Sequence, residues 1–212
     1  MSTPAPSQTP WEALLEEAVV DGDLQMAKRA LQNGIDANCY IDYEGTTGYT
    51  PLIVATKNND RKMVELLLLY GAETEITTNS VTPVTALYVA AAEGHLDALQ
   101  TLVKHGADIE ALNASGHMRP VVEAGIRNQA HCVSYLLHQG AQYDQDNYFF
   151  IQRHYPENTE TLNAIESFWE NGKRHEETLR KQKGYRSQQD ENAQNRQTRH
   201  TQLRKYTKRF GK

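Results

Sequence analysis

The chain has 212 residues, of which 39% are hydrophobic and 23% are charged, and its formal net charge is −5. An apolar fraction below the usual ~45–50% favours a thin core with much surface. No apolar run approaches the ~20 residues of a membrane-spanning helix, and the two cysteines show no partner spacing, which argues against a disulfide framework or a zinc knuckle.

Residues 1–10 are rich in Pro, Ser and Thr and have neither the basic nor the apolar region of a signal peptide. We expect this stretch to be a disordered lead-in. The sparse cysteines favour a reducing compartment. We therefore expect a cytoplasmic protein, with nuclear import or delivery as a secreted effector as the other destinations.

Charge is distributed unevenly along the chain. Residues 1–172 hold 9 Lys/Arg and 23 Asp/Glu, a net charge of −14, whereas residues 173–212 hold 13 Lys/Arg and 4 Asp/Glu, a net charge of +9. An acidic body with a basic tail indicates that the tail engages something anionic.

Glycine recurs at a nearly fixed interval in the acidic body. The positions are Gly34, Gly71, Gly106 and Gly140, and the intervals are 37, 35 and 34 residues. A period of ~33 residues is typical of stacked repeats, each of which needs its neighbours to bury its apolar face. The sequence therefore predicts a solenoid.

Each of these glycines ends a pair of short predicted helices. The first pair spans residues 11–21 and 24–32. In the second pair, Thr50 is placed to cap the first helix and Pro51 takes its first position. The third pair, from Thr85 to Asp108, breaks at Gly94 and has Leu and Val at helical spacing in its second half.

The fourth pair begins at Arg119, which replaces the capping Thr and so removes the cap. Fifteen positions before each closing glycine stands a small or modest residue that follows an alanine, and these are Val19, Thr56, Ala91 and Gly125. Small residues there allow the first helices of neighbouring units to lie close together. The longest interval places its extra residues in the loop around Tyr40–Tyr49, which predicts a longer finger there.

These units resemble ankyrin repeats. The second unit carries T-P-L-I-V-A-T from Thr50 where the family has T-P-L-H-x-A-A, and the third carries the G-H turn at Gly94-His95. The resemblance implies an all-α ankyrin-repeat α-solenoid of helix-turn-helix units with hairpin-like finger loops. The family's T-P-L-H histidine is replaced by Ile53, Tyr88 and Val122, which implies softer contacts between neighbouring loops.

The repeats are predicted at residues 11–38, 48–75, 83–110 and 117–144. Residues 146–172 are predicted to form a degenerate C-terminal capping repeat that closes at Gly172. Residues 173–212 are predicted to be a basic tail, helical at first and then disordered.

The sequence lacks the common catalytic, nucleotide-binding and metal-binding motifs. It contains no G-x-x-x-x-G-K-[ST], H-E-x-x-H, G-x-S-x-G or EF-hand pattern. His131 and Cys132 are adjacent, so on one helix their side chains point apart. We therefore expect no catalytic residue, no metal site, no cofactor and no enzymatic activity.

In ankyrin arrays the finger loops and the exposed face of each first helix contact partners. Carried over position by position, the resemblance implies a partner-binding set of Tyr43, Thr47, Tyr49, Lys57, Asn58, Tyr88, Glu93, Met118 and Arg127. Tyrosine offers broad contact area at low entropic cost. Packing of Tyr88 between repeats and a solvated position for Tyr43 are the competing interpretations. Met118 and Ile126 are expected to be exposed.

The predicted function is a monomeric, non-enzymatic module that binds a protein partner through its concave face and fingers. The alternative is an adaptor whose basic tail contacts nucleic acid or an anionic membrane, with Tyr206 and Phe210 available for stacking or insertion. A solubilising tail, a targeting signal and a bacterial ankyrin effector or immunity protein are further alternatives.

Overall fold

The computed structural model describes residues 10–113, 118–174 and 178. The predicted disordered lead-in at residues 1–10 therefore lies outside the described residues, except for Pro10, which is helical. Most of the predicted basic tail also lies outside them. The helices are α1 Pro10–Asp21, α2 Leu24–Gln32, α3 Pro51–Lys57, α4 Arg61–Leu69, α5 Ala86–Glu93, α6 Leu96–Lys104, α7 Pro120–Ile126, α8 Ala130–His138, α9 Gln145–His154 and α10 over residues 159–174; the strands are β1 Ile41–Tyr43 and β2 Thr46–Tyr49.

The chain divides into two units, Met1–Ile165 and Glu166–Lys212. The described part of the second unit is helical through residue 174 and carries one ion pair, in which Arg174 lies 3.2 Å from Glu170. The site described below lies entirely in the first unit.

Helices of the first unit form two layers. The first helices α1, α3, α5, α7 and α9 pack successively against one another, and the second helices α2, α4, α6 and α8 do the same. Each first helix also packs on the second helix that follows it, from α1 with α2 to α7 with α8. This arrangement is the predicted stack of helix-turn-helix units.

Small residues let the first helices approach closely. Ala18, Ala55, Ala90 and Ala124 have no solvent exposure and occupy equivalent positions in α1, α3, α5 and α7. A stack of this kind buries its apolar surface between neighbouring helices, which explains how a chain with a low apolar fraction still forms a core.

Two of the predicted helix caps are present and the third is absent, as expected. Thr50 Oγ1 accepts from the N–H of Ile53, and Thr85 Oγ1 accepts from the N–H of Tyr88, both at 3.3 Å. Arg119 makes no capping hydrogen bond, and its Nε instead lies 2.7 Å from a carboxylate oxygen of Glu110.

The long loop predicted at Tyr40–Tyr49 is a β-hairpin. Strands β1 and β2 pair antiparallel, and the two turn residues Glu44 and Gly45 have φ values of 51° and 74°. Positive φ at both central residues matches a type I′ turn, whose twist suits a two-residue hairpin loop. The carbonyl of Gly48 accepts the N–H of Asn79 at 2.7 Å, so the hairpin is bonded to the loop of the next repeat.

A repeated side-chain contact joins successive repeats, and we name it the junction ladder. Asn38 Oδ1 accepts the N–H of Glu73 at 2.8 Å, Glu75 Oε1 accepts that of Asp108 at 2.9 Å, and Glu110 Oε1 accepts that of Gln142 at 2.7 Å. His95 adds a separate bridge, since its Nδ1 lies 2.9 Å from the carbonyl oxygen of Thr56 in the preceding repeat. This contact gives His95 of the G-H turn a structural role between two repeats.

The last helices pack on the fourth repeat, and the final one extends further than predicted. Helix α9 packs on α7, and Asn158 donates to the carbonyls of Gly125 at 2.9 Å and Ile126 at 2.8 Å. Gly172 was predicted to close this unit, and that prediction is wrong because the helix continues through it to residue 174. A glycine is tolerated inside a helix at a cost of ~1 kcal/mol.

Candidate functional site

A groove of about 200 Å³ crosses three successive repeats of the first unit. Helix α5 contributes its floor, the loop between α4 and α5 forms one wall, and residues from β2, α3 and α7 complete its ends. The lining residues are Tyr49, Lys57, Thr78, Ser80, Thr82, Val84, Tyr88, Val89, Ala92, Glu93, Glu123 and Arg127.

The hairpin end of the groove is an ordered cluster of four side chains. The rings of Tyr43 and Tyr49 meet edge to face with centroids 5.8 Å apart. Tyr43 Oη donates to Asn58 Oδ1 at 2.8 Å, and the ammonium of Lys57 lies 6.0 Å from the centroid of the Tyr43 ring. Aromatic pairs and cation–π contacts of this geometry are attractive, so the hairpin and the end of α3 present one joined surface.

The opposite end of the groove is organised around a buried carboxylate. Glu123 is 8% exposed. Its Oε2 accepts from Tyr88 Oη at 2.9 Å, and its Oε1 accepts from Arg127 Nε at 3.0 Å. Asn113 Nδ2 donates to Tyr88 Oη at 3.4 Å. The carboxylate therefore links α5 to α7 and orients both the phenol and the guanidinium.

Two pKa shifts report this arrangement. Burial, followed by the hydrogen bond to Glu123, raises the pKa of Tyr88 to about 12. The hydrogen bond to Glu123 raises the pKa of Arg127, and the negative charge of Glu93 adds to that increase. The phenol therefore stays protonated, and the guanidinium charged, at neutral pH.

Comparison with known sequences agrees with the stack of repeated units described above. Residues 15–68 match the family profile described as ankyrin repeats in many copies, and residues 69–147 match the profile described as ankyrin repeats in three copies. The chain belongs to the ankyrin-repeat family. Ankyrin repeats are in general protein-interaction modules and are typically non-enzymatic.

Several known proteins are similar to part of the chain. The B-cell lymphoma 3 protein homolog of Mus musculus is 36% identical over 94 residues, 44% of this chain and 20% of that protein. Ankyrin repeat domain-containing protein 63 of Mus musculus is 34% identical over 125 residues, 57% of this chain and 31% of that protein. A glycerophosphocholine phosphodiesterase of Candida albicans is 33% identical over 107 residues, 50% of this chain and 9% of that protein. The matched region thus spans under a third of each relative.

Five residues of the predicted set line the groove, namely Tyr49, Lys57, Tyr88, Glu93 and Arg127. Tyr43 and Asn58 adjoin it through the hairpin cluster described above. Thr47 is exposed on β2, outside the groove lining. The phenol of Tyr88 bonds to the neighbouring ankyrin repeat, as the packing interpretation expects, and the side chain also lines the groove. Its contact with a partner stays a prediction.

Met118 and Ile126 were expected to be exposed, and both are half-buried. The segment at Met118 folds back, since the Met118 carbonyl accepts the N–H of Asn113 at 3.0 Å and the Met118 N–H donates to Asn113 Oδ1 at 3.3 Å. The Ile126 carbonyl is covered by Asn158. Neither residue lines the groove.

Glu123 is the charged groove residue that is absent from the predicted set. A Glu and an Arg four residues apart in one helix are typical of an ion pair on the helix surface, and that spacing is visible in the sequence. The bond from Tyr88, 35 residues earlier in the chain, depends on how the ankyrin repeats stack.

Other kinds of site find no support in the described parts of the chain. Over residues 10–113 and 118–174, no group of three or more His, Cys, Asp or Glu residues is placed to hold a metal ion. Within the same ranges, no helix has the length and apolar character needed to cross a membrane. Burial raises the pKa of the Cys132 thiol to about 11, whereas an activated nucleophile needs a lowered pKa.

Proposed function

We propose that this chain binds a protein partner through the groove and the adjoining hairpin. One observation carries the proposal: side chains from the second, third and fourth repeats converge on one groove that combines aromatic, cationic and anionic groups. Aromatic residues and arginine are the types most enriched in binding hot spots.

Preorganisation of the groove supports the proposal. Tyr43 is held by Asn58, and Tyr88 and Arg127 are held by Glu123. Ordering a mobile side chain on binding costs ~0.5–1.5 kcal/mol. Since these side chains are already oriented, ordering them costs less free energy when a partner binds.

The direct test replaces the two hairpin tyrosines. The double variant Y43A/Y49A, used as bait in a native extract, should lose captured proteins with an affinity drop of about thirtyfold or more, the usual effect of removing a hot spot. Variant Y70A is the matched control, because Tyr70 is an exposed tyrosine at the end of α4 and does not line the groove. Circular dichroism should show equal helical content in both.

The proposal fails if wild type, Y43A/Y49A and Y70A capture the same proteins with the same affinity. It also fails if the wild-type bait retains no protein that a repeat-free control lacks.

A second candidate function rests on the charge of residues 173–212, whose net value is +9 from 13 basic and 4 acidic residues. In this case the tail contacts nucleic acid or an anionic membrane. Deleting residues 184–212 separates the two functions: loss of anion binding with retained partner capture assigns them to different parts of the chain. Loss of partner capture itself would move the main site from the groove to the tail.

A further inference from the structure

Two charged groups of the groove have no ion-pair partner in the described part of the chain. Lys57 ends α3 and stands over the Tyr43 ring, and Glu93 ends α5 with an exposed side chain. The ion pairs among the described residues are those of Arg119, Arg127 and Arg174, so neither Lys57 nor Glu93 belongs to one.

The remaining charges of the groove are those of Arg127 and Glu123, and the charge of Glu93 also acts on Arg127. Arg127 is bonded to the buried carboxylate of Glu123, and the pair contributes no net charge. The groove is therefore dipolar. The single positive charge of Lys57 lies at the α3 end. At the other end Glu93 and Glu123 share the one positive charge of Arg127, which leaves that end with one net negative charge.

Helix packing sets the separation of the two backbones that carry these charges. Helices α3 and α5 are in direct contact, and packed helices have axes ~8–10 Å apart. A polyproline II segment rises ~3.1 Å per residue and completes a turn every ~3 residues, so side chains three positions apart share a face at ~9 Å. Side chains three positions apart in such a segment therefore have about the same separation as the two helix axes.

The wall of the groove suits such a segment. Ser80 and Thr82 are exposed and line it with hydroxyl groups. A polyproline II backbone makes no internal hydrogen bonds, so its carbonyl and N–H groups are available to these hydroxyls. The rings of Tyr49 and Tyr88 supply flat apolar area beside them.

Resting on the proposed function of the groove, we propose that the bound part of the partner is an extended segment with one acidic side chain for Lys57 and one basic side chain for Glu93, about three residues apart. The acidic group pairs with Lys57 and the basic group pairs with Glu93. Complementary charges of this kind give specificity and fix the register of the segment.

Fluorescent peptides of about twelve residues test the proposal, in an uncharged, proline-containing background that favours polyproline II. The peptides differ only in the positions of a single Asp and a single Lys, in both orders and at several separations. Titrated against the full chain, the peptides with charges three apart in one order should bind about tenfold more tightly than the uncharged parent.

Charge-reversal variants assign the two contacts. K57E should remove the benefit of the Asp, E93K should remove that of the Lys, and the double variant K57E/E93K should prefer the reversed order. The matched controls are K62E and E65K, because Lys62 and Glu65 are exposed charges on α4 that do not line the groove.

The inference is overturned if peptide affinity does not depend on charge or separation, if K57E and E93K behave like the α4 controls, or if no peptide binds. Charge-independent binding that Y43A/Y49A abolishes would overturn the dipolar inference alone and leave the groove as the binding site. Charge-dependent binding unchanged in every groove variant would count against both proposals.

Discussion

Gly125 lies within α7 at a point where the Cδ1 atom of Ile151 occupies the space that a β-carbon would take. Most glycines inside helices are replaced by alanine with a gain of ~1 kcal/mol, because alanine has the higher helix propensity. At Gly125 the gain competes with overpacking, which costs typically ~1–3 kcal/mol. The contact between α7 and α9 therefore depends on the missing side chain.

We predict that G125A lowers the free energy of unfolding by up to about 2 kcal/mol, the overpacking cost less the propensity gain. The double variant G125A/I151V, which removes the Cδ1 atom, should recover part of the loss. G172A is the control, because a β-carbon at Gly172 meets no atom within 4 Å, and it should not destabilise. Urea unfolding measures all three, and equal effects of G125A and G172A would contradict the prediction.

Tyr88 gives the groove a dependence on alkaline pH. An unfolded tyrosine loses its proton near pH ~10, whereas the folded chain holds the Tyr88 proton until about pH 12, since burial and the bond to Glu123 raise its pKa. The unfolded state therefore releases this proton first as the pH rises. The stabilisation from Tyr88 is fully present below pH ~10 and is lost between ~10 and about 12.

Variant Y88F should lose that part of the pH dependence and should be destabilised at neutral pH by ~1 kcal/mol, a typical net value for one hydrogen bond. Burial also raises the pKa of Tyr143, so the measurement is the difference in unfolding free energy between wild type and Y88F across this range. A difference that stays constant from neutral pH to about pH 12 would contradict the assignment.

At the scale of single elements, the beginning of α7 differs from those of α3 and α5. Thr50 and Thr85 cap the two earlier helices, whereas Arg119 contributes an ion pair with Glu110 and no cap. The ion-paired side chains are about a third exposed, and pairs of that kind contribute only ~0–1 kcal/mol. An N-cap is worth typically ~1 kcal/mol.

We predict that R119T is more stable than R119A by about 1 kcal/mol, the usual value of a threonine cap. Both variants lose the same ion pair, so their difference isolates the cap. Thermal or denaturant unfolding measures it. Equal stability of R119T and R119A would mean that the backbone at position 119 does not admit the capping geometry.

The elements show which sequence patterns carry structural information. The caps at Thr50 and Thr85 and the hairpin after Tyr40 were predictable, because a hydroxyl before a helix and an enlarged repeat interval each have one favourable structural outcome. Gly172 was not, because a glycine ends a helix only where the chain adopts positive φ. The sequence at Gly172 shows the residue type and does not show the dihedral angle.

At the scale of the whole molecule, Asn158 joins the last described helices to the end of α7. It is 5% exposed and donates to the carbonyls of Gly125 and Ile126, the last residues of α7. Removing it takes the side-chain donor from the Ile126 carbonyl, whereas the Gly125 carbonyl keeps the N–H of Asn128 at 3.2 Å. A buried acceptor that loses its donor costs ~1–3 kcal/mol. In a stack each repeat contacts only its neighbours, so the effect should stay local.

We predict that N158A speeds amide hydrogen exchange in α7 and α8 and leaves α1 to α4 unchanged, because each repeat opens largely by itself. N163A, at an exposed position of α10, is the control and should leave exchange in α7 unchanged. Faster exchange in every helix of N158A would indicate that the first unit unfolds as one cooperative block.

The residues of the groove could be predicted only in part, because some of them depend on how two repeats pack together. Tyr49, Lys57 and Glu93 follow from repeat positions, because equivalent residues of stacked units lie side by side. Glu123 and its bond to Tyr88 depend on the distance and rotation between two repeats, and the sequence of either repeat does not contain them. Side chains that join repeats are therefore harder to predict than side chains that cap or break helices.

The junction ladder has a consequence for exchanging parts of the chain. In each contact the accepting side chain, such as Asn38 or Glu75, meets a backbone N–H of the next repeat. Every amino acid except proline offers that group. A repeat of different sequence can therefore still receive this contact, whereas the bond between Tyr88 and Glu123 needs a matching side chain in both repeats.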